Sequence, residues 1–240
     1  VNLGNSLTTI GEKTFWGCTA LTEVTLPATV ETIGDAAFWG CTALADIPLP
    51  ATLQTIDAAA FWGCTALTAV EFPESVKTIG TLAYYNCTGI QSIKFSKDDI
   101  TIGDYAFKGC RALAAVALPG SLTDIGDSAF KECSGLTSIN IPESVTSIGY
   151  EAFLYCYSMT SIIIPEGVTS IEWDSFSLCY GLTSVTLPAG ITHIDANAFG
   201  ACAALTDVYF AGSEEEWNEI VIASGNEYLQ NATIHFSVKT

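Results

Sequence analysis

The chain has 240 residues and a formal net charge of −18, with 8 Lys and Arg against 26 Asp and Glu. A surface this acidic repels phosphate backbones and anionic lipid, so we expect no nucleic-acid partner and no binding to bare membranes. No uninterrupted apolar run approaches the ~20 residues that span a bilayer, so we also expect no direct membrane insertion.

A repeat of 23 residues organises the chain, and the cysteines reveal it. They are Cys18, Cys41, Cys64, Cys87, Cys110, Cys133, Cys156, Cys179 and Cys202. Three positions before each Cys stands an aromatic residue: Phe15, Phe38, Phe61, Tyr84, Phe107, Phe130, Phe153, Phe176 and Phe199. An Ile stands eight positions before each Cys, and an apolar residue stands three positions after it.

Each repeat predicts the same local elements in chain order. In the segment 44–49, the apolar Ile47 and Leu49 alternate with other residues, which predicts a half-buried strand. A proline follows in most repeats and ends the strand. A short apolar pair such as Val145 and Ile148 comes next, and then an Ala-Phe-x-x-Cys turn. One repeat buries little alone, so we expect stacked repeats to form one continuous parallel sheet over Phe, Cys, Leu and Ile.

Both ends of the chain depart from this pattern. Val1-Asn2-Leu3 aligns with the strand of a later repeat, so we expect residues 1–5 to be the remnant of a preceding repeat. The chain would then be a monomeric fragment of a longer protein; the alternative is a degenerate natural cap. Ser213 to Glu216 forms a capping box, which predicts a short helix, with Trp217 and Ile220 covering the last repeat. We therefore predict a solenoid over residues 1–212 and a C-terminal capping segment over residues 213–240.

The repeats resemble the BspA-like, treponemal type of leucine-rich repeat. The consensus Leu-x-x-Ile-x-(Ile/Leu)-Pro…Ile-Gly-x-x-Ala-Phe-x-x-Cys is matched over residues 6–212, with local departures such as Tyr84 for Phe and Ser175 for Ala. The resemblance implies a right-handed, curved leucine-rich-repeat solenoid of the α/β horseshoe class. It would have about nine repeats, a parallel β-sheet of short strands, and turn or short helical segments. The resemblance also implies a bacterial or protist protein at the cell surface, often credited with adhesion.

The cysteines predict a buried row of reduced thiols. Metal sites need close pairs such as Cys-x-x-Cys, and here no two cysteines are closer than the repeat. In-register Cβ atoms on neighbouring parallel strands stay ~4.8 Å apart, beyond the usual ~3.5–4.5 Å of a disulfide. We expect the thiols to act as small hydrophobic side chains.

Other catalytic signals are weak. His193 lies in a row of Thr, Ser and Asp, and His235 matches the outward position of Tyr209, so we expect both on the surface. Acidic pairs one repeat apart would lie near the ~5–5.5 Å separation of retaining glycosidases, but any solenoid with acidic rows has this property. These pairs are Glu12 with Asp35 and Asp104 with Asp127. We expect no enzyme, no catalytic residue, no metal and no cofactor.

Aromatic residues at variable positions of the repeat are the one feature that suggests a binding surface. The position after the core aromatic residue reads Trp16, Trp39, Trp62 and Tyr85, and then changes to Lys, Lys, Leu, Ser and Gly. A second candidate patch contains Tyr155, Tyr157 and Tyr180. Recent duplication explains the near-identical first repeats. A stacking platform for sugar rings, or a hydrophobic hot spot for a protein, is the functional alternative.

We expect a non-enzymatic cell-surface recognition or adhesion module that binds a host or neighbouring protein or a glycan. A passive spacer that displays another domain of a longer surface protein is the alternative. Rows of Thr and Ser favour the spacer, whereas the Trp row favours the adhesin. We expect a location at the cell surface or outside the cell, with the signal sequence not in this chain. Six of the 8 basic residues lie between positions 77 and 131, by drift between repeats or as a basic patch: Lys77, Lys94, Lys97, Lys108, Arg111 and Lys131.

Overall fold

The structure, a computed structural model, describes residues 3–237. They form a parallel solenoid in which each turn of about 23 residues is one rung. Val1 and Asn2, on which the predicted remnant of a preceding repeat partly depends, lie outside the described residues. Strands of successive rungs pair in register, as Thr9 with Thr32 and Ile10 with Ile33 show.

Two parallel ladders run along the solenoid, where the sequence predicted one continuous sheet. The short ladder consists of two-residue strands at the Ile position of each repeat, grouped as five, two and three strands. In most of them the first residue is exposed and the Ile is buried. The strands are Thr9–Ile10, Thr32–Ile33, Thr55–Ile56, Thr78–Ile79, Thr101–Ile102, Asp124–Ile125, Ser147–Ile148, Ser170–Ile171, His193–Ile194 and Val221–Ile222.

The long ladder follows the cysteines, and its strands are grouped as two, two and four. The strands are Ala69–Phe72, Ser92–Phe95, Ala115–Ala117, Ser138–Asn140, Ser161–Ile163, Ser184–Leu187, Asp207–Phe210 and Thr233–Phe236. The predicted strand at 44–49 does not form, and only an isolated bridge joins Glu23 to Asp46. Pro48 lies in the middle of this segment and lacks the N–H that a ladder position would donate.

A column of stacked rings fills the core, as the repeating aromatic position predicted. All nine rings, from Phe15 to Phe199, stack with centroids 4.9–5.7 Å apart and planes within 16° of parallel. The Ile rows and the apolar row after Cys are also buried from the second repeat onward. Offset parallel stacking suits aromatic rings, so each added rung extends a favourable contact.

The thiols bind the backbone as well as filling the core. The carbonyl oxygen of Phe15 accepts the N–H of Cys18 at 3.0 Å and the thiol of Cys41, one rung further on, at 3.1 Å. The seven later cysteines repeat the thiol bond at 3.0–3.5 Å. All nine are free, and the prediction of burial is wrong for Cys18 alone. Cys18 lies in the first repeat, with no preceding rung among residues 3–237 to cover it.

Thiol titration should separate Cys18 from the other cysteines. Burial raises the pKa of Cys41, Cys133 and Cys202 to about 12, so their reactive thiolate is scarce at neutral pH. A thiol reagent should therefore modify one cysteine of the native protein quickly and all nine in denaturant. The Cys18→Ser variant should lose the fast reaction. Rapid modification of two or more thiols in the native protein would contradict this core.

The C-terminal segment adds two short helices, α1 at Glu214–Asn218 and α2 at Glu227–Gln230. The predicted capping box is confirmed, because Ser213 and Glu216 bond each other's backbone N–H groups. Trp217 packs edge-on against Phe210 at 5.4 Å, and Ile220 and Leu229 are buried. The segment contributes the last strand of each ladder, and we propose that it caps the solenoid. No helix among residues 3–237 is long and apolar enough to cross a bilayer.

Candidate functional site

The third side of each rung is a turn that contains two residues with positive φ. We call the exposed side chains of this turn the turn face; it covers residues 13–19 of the first repeat and their equivalents. The first positive-φ row is Lys13, Ala36, Ala59, Leu82, Tyr105, Ser128, Glu151, Asp174 and Asn197, at φ 50–61°. The second row is Gly17, Gly40, Gly63, Asn86, Gly109, Glu132, Tyr155, Leu178 and Ala201, at φ 55–77°.

The second positive-φ row changes character along the chain. Its first five members are Gly or Asn, the residues that enter this region most easily. From Glu132 onward the row uses ordinary residues, and Tyr155 adopts φ 67°. A residue with a Cβ costs roughly 1–2 kcal/mol in this conformation. The first positive-φ row is non-glycine in all nine repeats, so positive φ is a general feature of this turn and does not single out Tyr155.

The four predicted aromatic residues of the first repeats form one column on the turn face. Ring centroids are 5.7 Å apart for Trp16 and Trp39, 4.2 Å for Trp39 and Trp62, and 4.1 Å for Trp62 and Tyr85. The Lys13 ammonium lies 5.3 Å from the Trp16 ring, and the Lys108 ammonium 5.2 Å from the Tyr85 ring. We call the four rings the aromatic column.

The aromatic column differs from the platform that the sequence suggested. The inner rings stack on each other, so the solvent meets their edges while their faces cover one another. Trp16 is 52% exposed, whereas Trp39, Trp62 and Tyr85 are half-buried. A sugar that stacks face-on would therefore find only the outer face of Trp16. The column remains a predicted contact surface, through ring edges that suit a protein partner.

Comparing Trp39→Ala with Phe38→Ala should separate the exposed column from the core. Phe38 is fully buried, and its truncation should lower the free energy of unfolding by ~3–5 kcal/mol. Trp39 is half-buried and stacks on two rings, so its truncation should cost about 1–2 kcal/mol. Denaturant unfolding of both variants measures the difference. Equal losses would mean that the column is part of the core packing.

A charged section follows the aromatic column on the turn face. The Glu132 carboxylate lies 3.2 Å from the Arg111 guanidinium and 3.6 Å from the Lys108 ammonium. The Lys131 ammonium lies 2.6 Å from Glu151. Burial raises the pKa of Glu151, but hydrogen bonds from Lys131 and Ser128 outweigh it, so the pKa falls below its usual value. Lys108 and Arg111 share one carboxylate, Glu132, so these two cations keep an excess positive charge within a chain of −18.

The three predicted tyrosines come together beyond the charged section, and we call them the tyrosine patch. Tyr157 and Tyr180 stack at 5.4 Å with planes 4° apart, while Tyr155 meets Tyr157 edge-on at 5.8 Å. Tyr157 is 43% exposed and Tyr180 is 49% exposed. Partial desolvation, and then the neighbouring Tyr180 and Tyr155 hydroxyls, raise the pKa of Tyr157, so it remains a hydrogen-bond donor at neutral pH.

A cleft of about 390 Å³ separates the charged section from the tyrosine patch. We call it the turn-face cleft; it is lined by Arg111, Glu132, Ser134, Tyr155 and Tyr157. Sequence analysis named both tyrosines but did not place Arg111, Glu132 or Ser134 beside them. The repeat period contained the signal, because residues 23 positions apart are neighbours along one face of the solenoid.

A larger hollow of about 620 Å³ lies on the outer side of the long ladder. It borders the segment that Pro48 keeps out of the ladder, with Glu71 and Lys94 forming an exposed ion pair on it. Small residues such as Ala69 and Ser92 line much of the rest. The hollow lacks the exposed rings that distinguish the turn-face cleft.

The candidate pair Asp104 and Asp127 has structural partners. Asp104 accepts the backbone N–H of Asp127 at 2.9 Å, and Asp127 accepts that of Tyr150 at 3.0 Å. These carboxylates therefore hold successive turns together. His193 and His235 are exposed, as predicted. His235 also stacks on Tyr209 at 4.7 Å and lies 2.7 Å from a carboxylate oxygen of Asp207, which the sequence did not indicate.

Two further exposed aromatic residues escaped the sequence analysis. Tyr150 is 49% exposed and Trp173 is 44% exposed, in neighbouring rungs. They occupy the same position of the repeat as Asp104 and Asp127. The replacement of an acidic residue by an aromatic one at this position was the signal that could have identified them. No group of His, Cys, Asp and Glu side chains among the described residues is arranged to hold a metal ion.

The strands are parallel, the short ladder follows the repeated Ile position, and the interior is packed with apolar side chains. These features define a leucine-rich-repeat solenoid. The chain belongs to the family with the BspA type leucine rich repeat region, whose sequence profile matches residues 1–114 and 100–226 in six copies. No match was found among curated proteins.

Solved structures of bacterial leucine-rich-repeat proteins share this fold. One from Bacteroides ovatus is 25% identical over 99% of this chain, with a TM-score of 0.77. The chain spans 62% of the length of that protein. A leucine rich cell surface protein from Faecalibacterium prausnitzii is 28% identical, with a TM-score of 0.58 over 91% of this chain and 73% of its own. The pneumococcal vaccine antigen PcpA, at 18% identity and a TM-score of 0.53 over 97% of this chain and 76% of its own, supports the fold alone.

Proposed function

We propose that this chain is a non-enzymatic recognition module of a bacterial surface protein, and that it binds its ligand through the turn face. The observation that supports this most is the tyrosine patch. Tyr155, Tyr157 and Tyr180 contact one another beside a cleft, and Tyr157 and Tyr180 are more than two-fifths exposed. Rings this exposed add little to core packing, so a binding role explains them better.

The solenoid suits this role because it holds exposed residues on a stiff frame. The core column and the two ladders fix each turn relative to its neighbours. Side chains on the turn face therefore lose little conformational freedom when a ligand binds. Exposed Tyr and Trp also offer large contact areas with few rotatable bonds. Family membership and the cell surface protein from Faecalibacterium prausnitzii support a location at the cell surface.

A passive spacer is the second candidate, supported by the outer side of the long ladder. The first exposed position of its strands carries small residues over several rungs, such as Ala115, Ser138 and Ser161, although the second includes the exposed Ile163. A flat face of this kind offers few anchors for a partner. Under this alternative the chain would hold another domain away from the cell, and the turn-face aromatic residues would bind nothing.

A binding screen on the whole chain tests the proposal. The immobilised protein is presented with matrix proteins and with an array of neutral and acidic glycans. For any ligand captured, either Trp39→Ala or the double variant Tyr157→Ala/Tyr180→Ala should weaken binding by about 2 kcal/mol or more, as truncation of a hot spot does. Tyr228→Ala is the matched control, because Tyr228 is similarly exposed but lies on α2.

Two results would refute the proposal. Capture of no ligand at all would support the spacer. Capture that both turn-face variants leave unchanged, or that Tyr228→Ala weakens equally, would place the binding surface elsewhere. Thermal unfolding of every variant confirms that a loss of binding is not a loss of fold.

A further inference from the structure

We propose that the turn-face cleft binds a sugar ring that carries a carboxylate, such as a sialic acid or a uronic acid residue of a glycan. This inference rests on the proposed function and specifies both the site and the ligand class. The cleft lies between Arg111 and Tyr157, which are two rungs apart. One wall is a flat ring, and the opposite wall carries the charged groups.

Tyr157 supplies the stacking surface. The position after each cysteine reads Arg111, Ser134, Tyr157 and Tyr180 in four successive rungs. Tyr180 covers one face of Tyr157, with the planes 4° apart. On the other side stands Ser134, whose small side chain leaves room for the cleft that both residues line. The open face of Tyr157 can therefore receive the C–H face of a pyranose, which the closed aromatic column cannot do between its inner rings.

Arg111 supplies the group that recognises a carboxylate. Its side chain is 59% exposed and contacts Glu132 through one nitrogen at 3.2 Å. A guanidinium has five N–H donors, so the remaining donors are free to bind a second, bidentate carboxylate. The planar fork fits that group better than an ammonium does.

The other polar groups suit the hydroxyls of a sugar. Glu132 is 29% exposed and lies between Arg111 and Lys108, which keep it in place as a hydrogen-bond acceptor. Ser134 and Tyr155 line the same cleft with hydroxyl groups that donate or accept. A ligand with one apolar face and a rim of hydroxyls matches this lining. A plain acidic side chain of a peptide has no ring face to stack on Tyr157.

Local charge favours an acidic ligand over a neutral one. Lys108 and Arg111 pair with a single carboxylate, Glu132, while the whole chain carries −18. A ligand carboxylate beside Arg111 would balance this excess cation. Over most of so acidic a surface, the same carboxylate would be repelled.

Tyr155 completes the wall of the cleft next to Tyr157. It lies in the row that is Gly in most earlier rungs, and its ring meets Tyr157 edge-on. This contact between the two rings limits the motion of Tyr157. A preformed site of this kind avoids the ordering cost that weakens flexible sites.

Calorimetric titration and saturation-transfer NMR on the whole chain test the proposal. The probes are 3′-sialyllactose, a disaccharide that contains glucuronic acid, and lactose as the neutral partner. At least one acidic sugar should bind about tenfold more tightly than lactose, since only the acidic sugar can form charge-assisted hydrogen bonds with Arg111.

Variants locate the binding. Arg111→Gln should lower the affinity for the acidic sugar about tenfold. Arg111→Lys keeps the charge and should therefore lose less of this affinity. Tyr157→Ala should lower the affinity for acidic and neutral sugars alike. Lys94→Gln is the matched control, because Lys94 is an exposed, carboxylate-paired cation on the long ladder, and its removal should change affinity less than twofold.

The outcomes separate this inference from the proposed function. Equal affinity for lactose and the acidic sugars, or acidic-sugar binding that survives both Arg111→Gln and Tyr157→Ala, would overturn it. Preference for an acidic, aromatic peptide over every acidic sugar would also overturn it and assign the cleft to a peptide. If a ligand from the wider screen binds elsewhere on the turn face, the recognition role stands and only the acidic-sugar assignment falls. If no ligand binds anywhere, both fall.

Discussion

The stacking of one turn on the next at the Phe-x-x-Cys segment is the interaction on which the rest of the structure depends. A single carbonyl, such as that of Phe38, accepts the N–H of its own Cys41 and the thiol of Cys64 on the following rung. The N–H groups of Ala36, Phe38 and Gly40 bond forward to carbonyls of the next rung. On the short ladder the bonds run backward, as from Gly34 to Ile10. Each rung is therefore fixed to both neighbours, and its length cannot change without loss of these bonds.

This constraint explains why recognition would reside on the turn face. Core rows must keep the same residue type to continue the ring column and the thiol bonds. The residue after each cysteine is exposed or half-buried, and so are most of the residues that follow the core ring or precede the cysteine. These positions are free to differ. The chain uses this freedom to build three successive surfaces along one side: the aromatic column, the charged section and the tyrosine patch. Because the frame is stiff, a surface built from residues 23 positions apart keeps its geometry.

The sequence predicted the period and the inward rows because their pattern is repeated nine times. It predicted the capping box because that motif is local to four residues. It did not predict what depends on a single residue or on packing between rungs. Pro48 prevents a strand that its neighbouring apolar residues favoured. Cys18 is exposed because burial comes from the preceding rung. The Tyr84 hydroxyl is buried with no hydrogen-bond partner in the described part of the chain, although its row predicted only a core ring.

The candidate site was predicted in part. The sequence named the aromatic residues, and the structure shows that the inner rings of one set lie between two others, while a ring of the other set lines a cleft. Ring orientation depends on the side chains of adjacent rungs, such as Ser134 next to Tyr157, and no single repeat contains that information. The ion pairs of Glu132 with Arg111 and Lys108 likewise join different rungs.

Deleting one rung tests the central constraint most directly. Removal of residues 52–74 takes out 23 residues and joins Ala51 to Ser75, which occupies the same row as Thr52. Removal of residues 52–73 is one residue shorter and displaces everything that follows by one position. We predict that the first variant stays soluble and unfolds cooperatively in denaturant, with the stability of one rung lost. The second should fail to fold or should aggregate, because its inward rows no longer meet. Equal behaviour of the two deletions would contradict the account.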